Sequence, residues 1–241
     1  APRVDGQWER ASAKAGRVRR GFSEPLDDAD GAYALAPNTH DLLLRFLSAL
    51  PLRERPRLVT TDGEFHSIRR QLDRLGEEGI GIVKVAADPA ATVAERLAAA
   101  VDDRTSAVLV SAVFFHNAHV VPGLASLARA CARHGAELLV DAYHALGVVR
   151  FTIEGEGLEG AFVTGGGYKY CQLGEGNCFL RVPPGRSFRP VVTGWFSEFS
   201  ALADPRPNVV LYVIDCLRAD LAQLRGHLLA CFGLGVLVVK P

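Results

Sequence analysis

The chain of 241 residues contains no methionine, and this is the first thing that its composition says about it. Natural translation starts with methionine, whereas this chain starts with Ala1, so we expect it to be a fragment of a longer sequence. It also lacks a hydrophobic run of membrane-spanning length. The apolar stretch at residues 228–239 is 12 residues long, against the roughly 20 that a transmembrane helix needs.

An excess of either charge is absent as well. Lys plus Arg and Asp plus Glu are equal at 27 each, so no overall field favours nucleic acid or an acidic partner. The five cysteines are odd in number and form no CxxC pair, which argues against a zinc site and against a disulfide framework. They are typical of reduced thiols, and we expect a cytosolic protein with neither nucleic-acid nor membrane partners.

What the sequence does contain is an alternation of short apolar runs with helical stretches, without an internal repeat. Near-continuous apolar strands between helices are typical of a parallel sheet covered on both faces. The predicted fold is therefore α/β, a three-layer sandwich with a mainly parallel sheet. The predicted strands are residues 57–60, 81–85, 107–111, 137–141, 161–164 and 178–182, and the predicted helices are a helix starting near 39–42 and residues 67–78, 91–101 and 124–134.

Lys169 is the most informative residue, because it follows three glycines, Gly165 to Gly167, at the end of an apolar run. Glycines let backbone approach a bulky ligand closely, and a lysine partly removed from water becomes a nucleophilic amine. Asp141 ends another apolar run. An amine for a Schiff base and an aspartate for a pyridinium nitrogen are what pyridoxal phosphate (PLP) requires. Alternatively, Lys169 is a solvated loop residue and Asp141 caps the following helix.

Further candidates follow other predicted strands, where ligands of open α/β sheets bind. Ala36 to Thr39 lies at a helix start that favours a phosphate, or is a plain N-cap. Phe65 offers a ring for a planar cofactor, or is a core residue. Asn117 offers an amide at the same edge, and Tyr168 a hydroxyl for a phosphate oxygen.

The order of these residues resembles the class V aminotransferase family of fold-type I PLP-dependent enzymes, and within it the kynureninase-like members. The resemblance covers roughly residues 30–204. Its most specific motifs are Gly63-Glu64-Phe65-His66-Ser67, Asp141-Ala142-Tyr143-His144, Tyr168-Lys169-Tyr170 and Gly194-Trp195-Phe196. The resemblance implies a PLP-dependent, aminotransferase-like enzyme that acts on an amino acid and forms a homodimer. It also implies three parts of the chain: an N-terminal helix or linker (1–30), a PLP-binding large domain (31–204) and an atypical tail (205–241).

The resemblance assigns roles to single residues. Lys169 would carry the Schiff base, Asp141 would hold the pyridine nitrogen, Phe65 would stack on the ring and Asn117 would approach the ring hydroxyl. The phosphate would bind among residues 35–39, His144 and Tyr168, with Trp195 contributing. The full set of implied cofactor-binding residues is Ala36, Asn38, Thr39, Phe65, Asn117, Asp141, His144, Tyr168, Lys169 and Trp195.

Several departures from the family pattern leave alternatives open. The small domain is incomplete, the arginine that grips the substrate carboxylate is not visible, and nothing matches the cysteine-bearing loop of the cysteine desulfurase branch. A kynureninase-like C–C hydrolase and a truncated, inactive PLP-fold domain are the rival interpretations. The run at residues 207–220 resembles the first strand of sulfatase-type hydrolases, in which Asp215 would bind a divalent cation, but a C/S-x-P-x-R nucleophile motif is absent. We predict no metal site.

Overall fold

The protein is described by a computed structural model that covers residues 2–186, 188–193, 229–232 and 236–239. Five α-helices and nine strands are assigned in this part of the chain. The helices are α1 (Pro2–Ser23), α2 (Thr39–Ser48), α3 (His66–Glu77), α4 (Val93–Ala100) and α5 (Leu124–Arg133). The strands are β1 (Ala32–Ala36), β2 (Arg57–Thr61), β3 (Gly81–Val85), β4 (Thr105–Ser111), β5 (Glu137–Asp141), β6 (Phe162–Gly166), β7 (Cys178–Val182), β8 (Leu229–Phe232) and β9 (Val236–Val239).

Seven strands form one sheet in the order β1-β7-β6-β5-β4-β2-β3. The five strands from β6 to β3 in this order are parallel to one another, whereas β7 runs antiparallel to both β6 and β1. Parallel neighbours need crossover connections, and the chain supplies α3, α4 and α5 between successive strands. The carboxyl ends of β2, β4, β5 and β6 therefore lie along one edge. Strands β8 and β9 form a separate antiparallel pair.

The sheet separates two hydrophobic cores, which makes the fold three-layered. Successive residues of a strand face opposite sides, and β4 shows this alternation, with Val108 and Val110 in one core and Ala107 and Leu109 in the other. One core contains buried residues of α1, α4 and α5, and the other contains those of α2 and α3. All seven residues of β4 are buried, as expected for a strand covered on both faces.

A buried ion pair fastens the segment after α1 to β7. Arg181 is 1 % exposed and forms a bidentate pair with Asp28, with Nε–Oδ2 and Nη2–Oδ1 distances of 3.0 and 2.9 Å. Its remaining nitrogen donates to the carbonyl oxygens of residues 158, 159 and 161. Tyr33 donates its hydroxyl to Asp28 at 2.6 Å. These bonds satisfy both buried charges, which is the condition for tolerating them in a core.

The structure confirms the predicted α/β fold class and differs from the predicted elements in detail. Strand β1 was not predicted, and α1 is a 22-residue helix whose Ala15 and Phe22 belong to the core. The run at residues 207–220, which resembles a sulfatase-type strand, lies outside the described residues. Within the described part of the chain, no helix combines the length and the apolar character that crossing a bilayer requires.

Candidate active site

A cleft of about 420 Å³ opens at the carboxyl edge of the parallel strands. It is lined by residues that follow β1, β2, β5 and β6 and by the loop that leads into β7. The lining residues are Pro37, Asn38, Thr39, Phe65, Asp141, Tyr143, His144, Tyr168, Lys169, Glu175, Gly176 and Cys178. Seven of the residues predicted from the sequence are therefore brought together, namely Asn38, Thr39, Phe65, Asp141, His144, Tyr168 and Lys169.

Asp141 is the last residue of β5 and is 7 % exposed. Its Oδ1 accepts the backbone N–H of Tyr143 at 2.9 Å, so it does cap the turn that follows. Its Oδ2 has no hydrogen-bond partner among the described residues. Burial raises the pKa of the Asp141 carboxyl to about 6, even though the Tyr143 N–H and Lys169 favour the ionised form. Asp141 lines the cleft, so a cationic donor bound there would favour its ionised form.

Lys169 lies in the loop between β6 and β7, and the three preceding glycines are needed for packing. A Cβ on Gly166 would lie 2.6 Å from Cys178 Sγ and 2.7 Å from Tyr143 Cε2, and a Cβ on Gly167 would lie 2.7 Å from the Leu173 side chain. The loop closes on itself through Leu173 N–H to Gly167 O at 2.9 Å. Glycine at these positions therefore lets the loop press against β7 and places Lys169 in the cleft.

The amine of Lys169 lies 2.6 Å from His144 Nε2. Burial lowers the pKa of Lys169, although Asp141 opposes this shift. Burial and, to a smaller extent, the Lys169 charge lower the pKa of His144 to about 4. His144 is therefore neutral at physiological pH, and its Nε2 accepts a hydrogen bond from Lys169 in the tautomer that carries the proton on Nδ1. Burial thus shifts the Lys169 amine toward its neutral form, which is the nucleophile.

Two aromatic rings flank the lysine amine. Lys169 Nζ is 4.9 Å from the centroid of the Phe65 ring and 5.0 Å from that of Tyr143. Phe65 is half-buried, and its ring meets the edges of Phe115 and His144 at centroid distances of 5.2 and 6.3 Å. The cleft thus offers flat apolar surfaces next to the amine, which suits a planar ring.

The N-terminus of α2 forms another side of the cleft. Asn38 caps this helix, since its Oδ1 accepts the N–H of Asp41 at 2.8 Å. Asn38 and Thr39 line the cleft, so the positive end of the helix dipole points toward it. Asn38 therefore both caps the helix and lines the cleft.

Other predicted residues are not brought to the cleft. Ala36 is buried in β1 and pairs with Cys178 of β7 in the sheet. Asn117 accepts the backbone N–H of His119 at 3.0 Å, so its side chain closes its own loop and does not line the cleft. Trp195 and Asp215 lie outside the described residues. No group of three or more His, Cys, Asp or Glu side chains suited to a metal occurs within the residues that the structure describes.

Sequence reasoning did not assign Tyr143, Glu175 or Cys178 to the site, although each lines the cleft. Tyr143 was visible inside the Asp-x-x-His motif and could have been chosen on that ground. Cys178 gave no signal, because it enters the cleft only through the antiparallel direction of β7. Its Sγ lies 3.9 Å from the Tyr143 hydroxyl.

The described residues fit PLP. Asp141 offers a carboxylate oxygen that no side chain or N–H occupies, Lys169 offers an amine whose pKa burial lowers, and Phe65 offers a ring face beside that amine. The N-terminus of α2 offers a dipole for an anion. Among the described residues, no arginine lines the cleft. PLP carries a pyridine nitrogen that suits Asp141, an aldehyde that suits Lys169, a planar ring that suits Phe65 and a phosphate that suits the N-terminus of α2.

Comparisons with known proteins agree on the fold. No family model matches the sequence, and no curated protein matches it. Among solved structures, a NifS-like protein is 16 % identical with a TM-score of 0.65, and the match covers 87 % of this chain and 57 % of that one. DndA from Streptomyces lividans is 18 % identical with a TM-score of 0.63, covering 88 % of this chain and 62 % of that one.

The cystine C–S lyase C-DES, in complex with its reaction product cysteine persulfide, is 17 % identical with a TM-score of 0.66. That match covers 92 % of this chain and 64 % of the lyase. A mutant of the same lyase, with glycine covalently linked to the PLP cofactor, gives the same TM-score at 16 % identity. The fold is therefore that of fold-type I PLP-dependent enzymes, as found in class V. This chain spans 57 to 64 % of the length of these structures.

Proposed function

We propose that this chain is the cofactor-binding part of a PLP-dependent enzyme that acts on an amino acid, with PLP held covalently by Lys169. The observation that carries the proposal is the meeting, in one cleft, of the Lys169 amine with the buried and half-satisfied carboxylate of Asp141. The turn that follows β5 uses Oδ1 of Asp141 and leaves Oδ2 available to a ligand in the cleft. The resemblance of the motifs around both residues to class V aminotransferases supports the same conclusion.

Each residue of the cleft would have a definite task. Bound PLP would supply an electron sink for the electron pair left at the substrate Cα when a bond there breaks. Asp141 Oδ2 would accept the N–H of the protonated pyridine nitrogen and so keep that nitrogen charged. Phe65 would cover one ring face and exclude water. Lys169 Nζ would remove and return the proton at the substrate Cα. His144 would orient Lys169 through their 2.6 Å contact.

The reaction type that we propose first is aminotransferase-like. Proton transfer by Lys169 is common to transamination, kynureninase-like C–C hydrolysis and β-elimination, which diverge through the residues that hold the substrate. The alternative functions are that of a kynureninase-like hydrolase and that of a PLP-fold domain without catalytic activity. Gly194-Trp195-Phe196, which favours the hydrolase, lies outside the described residues, and so does any arginine that the chain would supply from residues 194–228.

Cysteine desulfuration, which the similar structures suggest, would need a thiolate to take up sulfur. Cys178 is the described cysteine that lines the cleft, and burial raises its pKa to about 12. Burial also raises the pKa of Cys171, and it raises that of Cys131 to about 12. These thiols are protonated at neutral pH, so none of Cys131, Cys171 and Cys178 suits this step.

The partner we propose is a second copy of the chain. Exposed aromatic and apolar side chains surround the mouth of the cleft, namely Phe115, Tyr168, Tyr170 and Leu173, with exposures of 40 to 57 %. Patches of this kind favour association. Light scattering on the purified chain should give a dimer, and Tyr170→Glu with Leu173→Glu should shift it toward the monomer.

Absorbance spectroscopy tests the proposal. Addition of PLP should produce a band near the visible edge that persists through gel filtration and is absent in Lys169→Ala. An amino-acid panel then separates the reactions: a 2-oxo acid product indicates transamination, alanine from kynurenine indicates C–C hydrolysis, and cysteine persulfide from cystine indicates C–S cleavage. A bound band with no product from any substrate indicates the inactive domain, and no band would refute every PLP-dependent reading.

A further inference from the structure

Glu64 is a buried carboxyl group that the proposed chemistry does not use. It is 2 % exposed and does not line the main cleft. Its Oε1 accepts the hydroxyl of Thr61 and its Oε2 accepts the hydroxyl of Ser111, both at 2.6 Å. Burial raises the pKa of Glu64 to about 7 in spite of these two bonds. A buried carboxyl is costly, and such groups occur preferentially at functional sites.

The two hydrogen bonds of Glu64 connect the ends of neighbouring strands at the edge of the cleft. Thr61 is the last residue of β2 and Ser111 is the last residue of β4, and these strands are adjacent and parallel. Ser111 is also the register partner of Asp141 on β5. Glu64 therefore fastens its own turn to the strand next to the one that carries Asp141.

Glu64 directly precedes Phe65, so its hydrogen bonds to Thr61 and Ser111 hold the chain immediately before the Phe65 ring. The start of this turn is held by Asp62, whose N–H donates to Val85 O at 3.0 Å and whose Oδ1 accepts the N–H of Ala87 at 2.7 Å. Phe65 itself is the N-cap of α3 and makes no side-chain cap hydrogen bond. Its ring contacts Phe115, which is exposed to 40 %. The backbone at Phe65 is thus held on one side by the first turn of α3, through Phe65 O, and on the other side by Glu64.

Resting on the proposed function, we propose that Glu64 is a positioning residue of the cofactor site: its hydrogen bonds to Thr61 and Ser111 fix the turn that holds the Phe65 ring over the cleft. Glu64 touches neither the cofactor nor the substrate in this role. It acts through Phe65, whose ring lies 4.9 Å from Lys169 Nζ. An aromatic face contributes to affinity only when it is held in the stacking position.

Four variants test this inference: Glu64→Ala, Glu64→Gln, Ser111→Ala and Phe65→Ala. Gln accepts one hydroxyl with its Oε1 and donates an N–H to the oxygen of the other, so it should retain both connections. Ser111→Ala removes one of the two hydrogen bonds to Glu64, and it takes the place of Glu64→Ala in the measurements if that variant does not fold. Thr60→Val is the matched control. Thr60 precedes Thr61 in β2, and its buried hydroxyl donates to Leu109 O on β4 at 2.9 Å, so this variant also removes a buried hydrogen bond between the two strands. Thr60 does not line the cleft.

The first measurement needs no cofactor. Amide hydrogen exchange of Ile68 and Arg69, whose N–H groups both donate to Phe65 O at 3.0 Å, reports how firmly Phe65 is held. We expect exchange at least roughly tenfold faster in apo Glu64→Ala, which loses both buried hydrogen bonds, and an unchanged rate in Glu64→Gln and Thr60→Val. Unchanged exchange in Glu64→Ala, or in Ser111→Ala if the former does not fold, would overturn the inference.

The second measurement is the PLP dissociation constant by spectroscopic titration. Glu64→Ala should raise it about three- to tenfold, the range expected for one aromatic stacking contact, and Glu64→Gln should restore it. In the Phe65→Ala background, Glu64→Ala should have no further effect, since coupled residues are not additive. Equal effects in both backgrounds would contradict a role through Phe65. No binding by the wild type would refute the proposed function while the exchange result still tests the anchoring by Glu64.

Discussion

Replacement of Asp141 by Asn gives a prediction whose size and sign follow from burial. Asn has nearly the same shape as Asp, and its Oδ1 can still accept the Tyr143 N–H that the carboxylate accepts at 2.9 Å. The variant therefore removes the buried charge and leaves the turn in place. In the protein without PLP, Lys169 and the Tyr143 N–H offset the cost of burying this charge only in part, so its removal should stabilise the apo form increasingly as the pH rises.

The sign follows from proton linkage. The Asp141 pKa is raised from 3.8 to about 6 in the folded chain. Between these values the folded state holds more protons than the unfolded state, so wild-type stability falls as the pH rises through this window. Two pKa units correspond to about 3 kcal/mol. Relative to the wild type, apo Asp141→Asn should therefore gain about 3 kcal/mol in its free energy of unfolding between pH 4 and pH 8.

Urea denaturation of both apo proteins across this pH range measures the difference directly. The change with pH is the diagnostic quantity, because any fixed loss from the amide, such as an unpaired N–H in place of Oδ2, is the same at every pH. Saturating PLP should reverse the order at pH 8, since only the carboxylate gains the pyridinium partner. A difference that stays constant from pH 4 to pH 8 would show that Asp141 is not buried as an uncompensated charge.

Three further predictions concern the ring face, the glycine loop and the buried ion pair. Phe65→Leu should raise the PLP dissociation constant about three- to tenfold with little change in apo melting temperature, because Phe65 is half-buried; an unchanged constant in the titration would remove Phe65 from the site. Gly166→Ala should force Tyr143, 2.7 Å from the new Cβ, out of position, at about 1–3 kcal/mol of stability, and calorimetry together with PLP titration should show both losses. Arg181→Met should lower the free energy of unfolding by about 3–5 kcal/mol, because Asp28 is left buried and unpaired; the double variant with Asp28→Asn should recover part of this loss in urea, and no recovery would contradict the explanation.

The parts of the site that were predictable from sequence are those whose signal is local. Lys169 follows three glycines and Asp141 ends an apolar run, so the chain positions of both residues indicate strand ends at one edge of a parallel sheet. The fold class was predictable for the same reason, since strands β2 to β6 are short apolar runs separated by helices. Asn117 shared this kind of signal, yet its side chain bonds to the His119 N–H inside its own loop. Sequence could not distinguish a free amide from one that closes a turn.

The remaining parts depend on contacts between distant residues. Strand β1, Ala-Tyr-Ala-Leu-Ala, contains no β-branched residue and gains its conformation by pairing with β7, which is remote along the chain. The burial of Glu64 depends on Ser111, 47 positions away, so the residue looks like an ordinary loop acid in the sequence. Cys178 enters the cleft because β7 runs antiparallel to β6. None of these arrangements leaves a periodic or motif-like trace.

The central claim is that the Lys169 amine holds PLP covalently, and borohydride trapping tests it most directly. The protein incubated with PLP is reduced, digested and mapped by mass spectrometry, with Lys169→Ala and the exposed-lysine control Lys84→Ala treated in parallel. Lys84 is paired with Asp73 on the surface, away from the cleft. The account predicts a stoichiometric pyridoxyl group on Lys169 in the wild type and in Lys84→Ala, and none in Lys169→Ala. Modification spread over several lysines, or undiminished in Lys169→Ala, would contradict it.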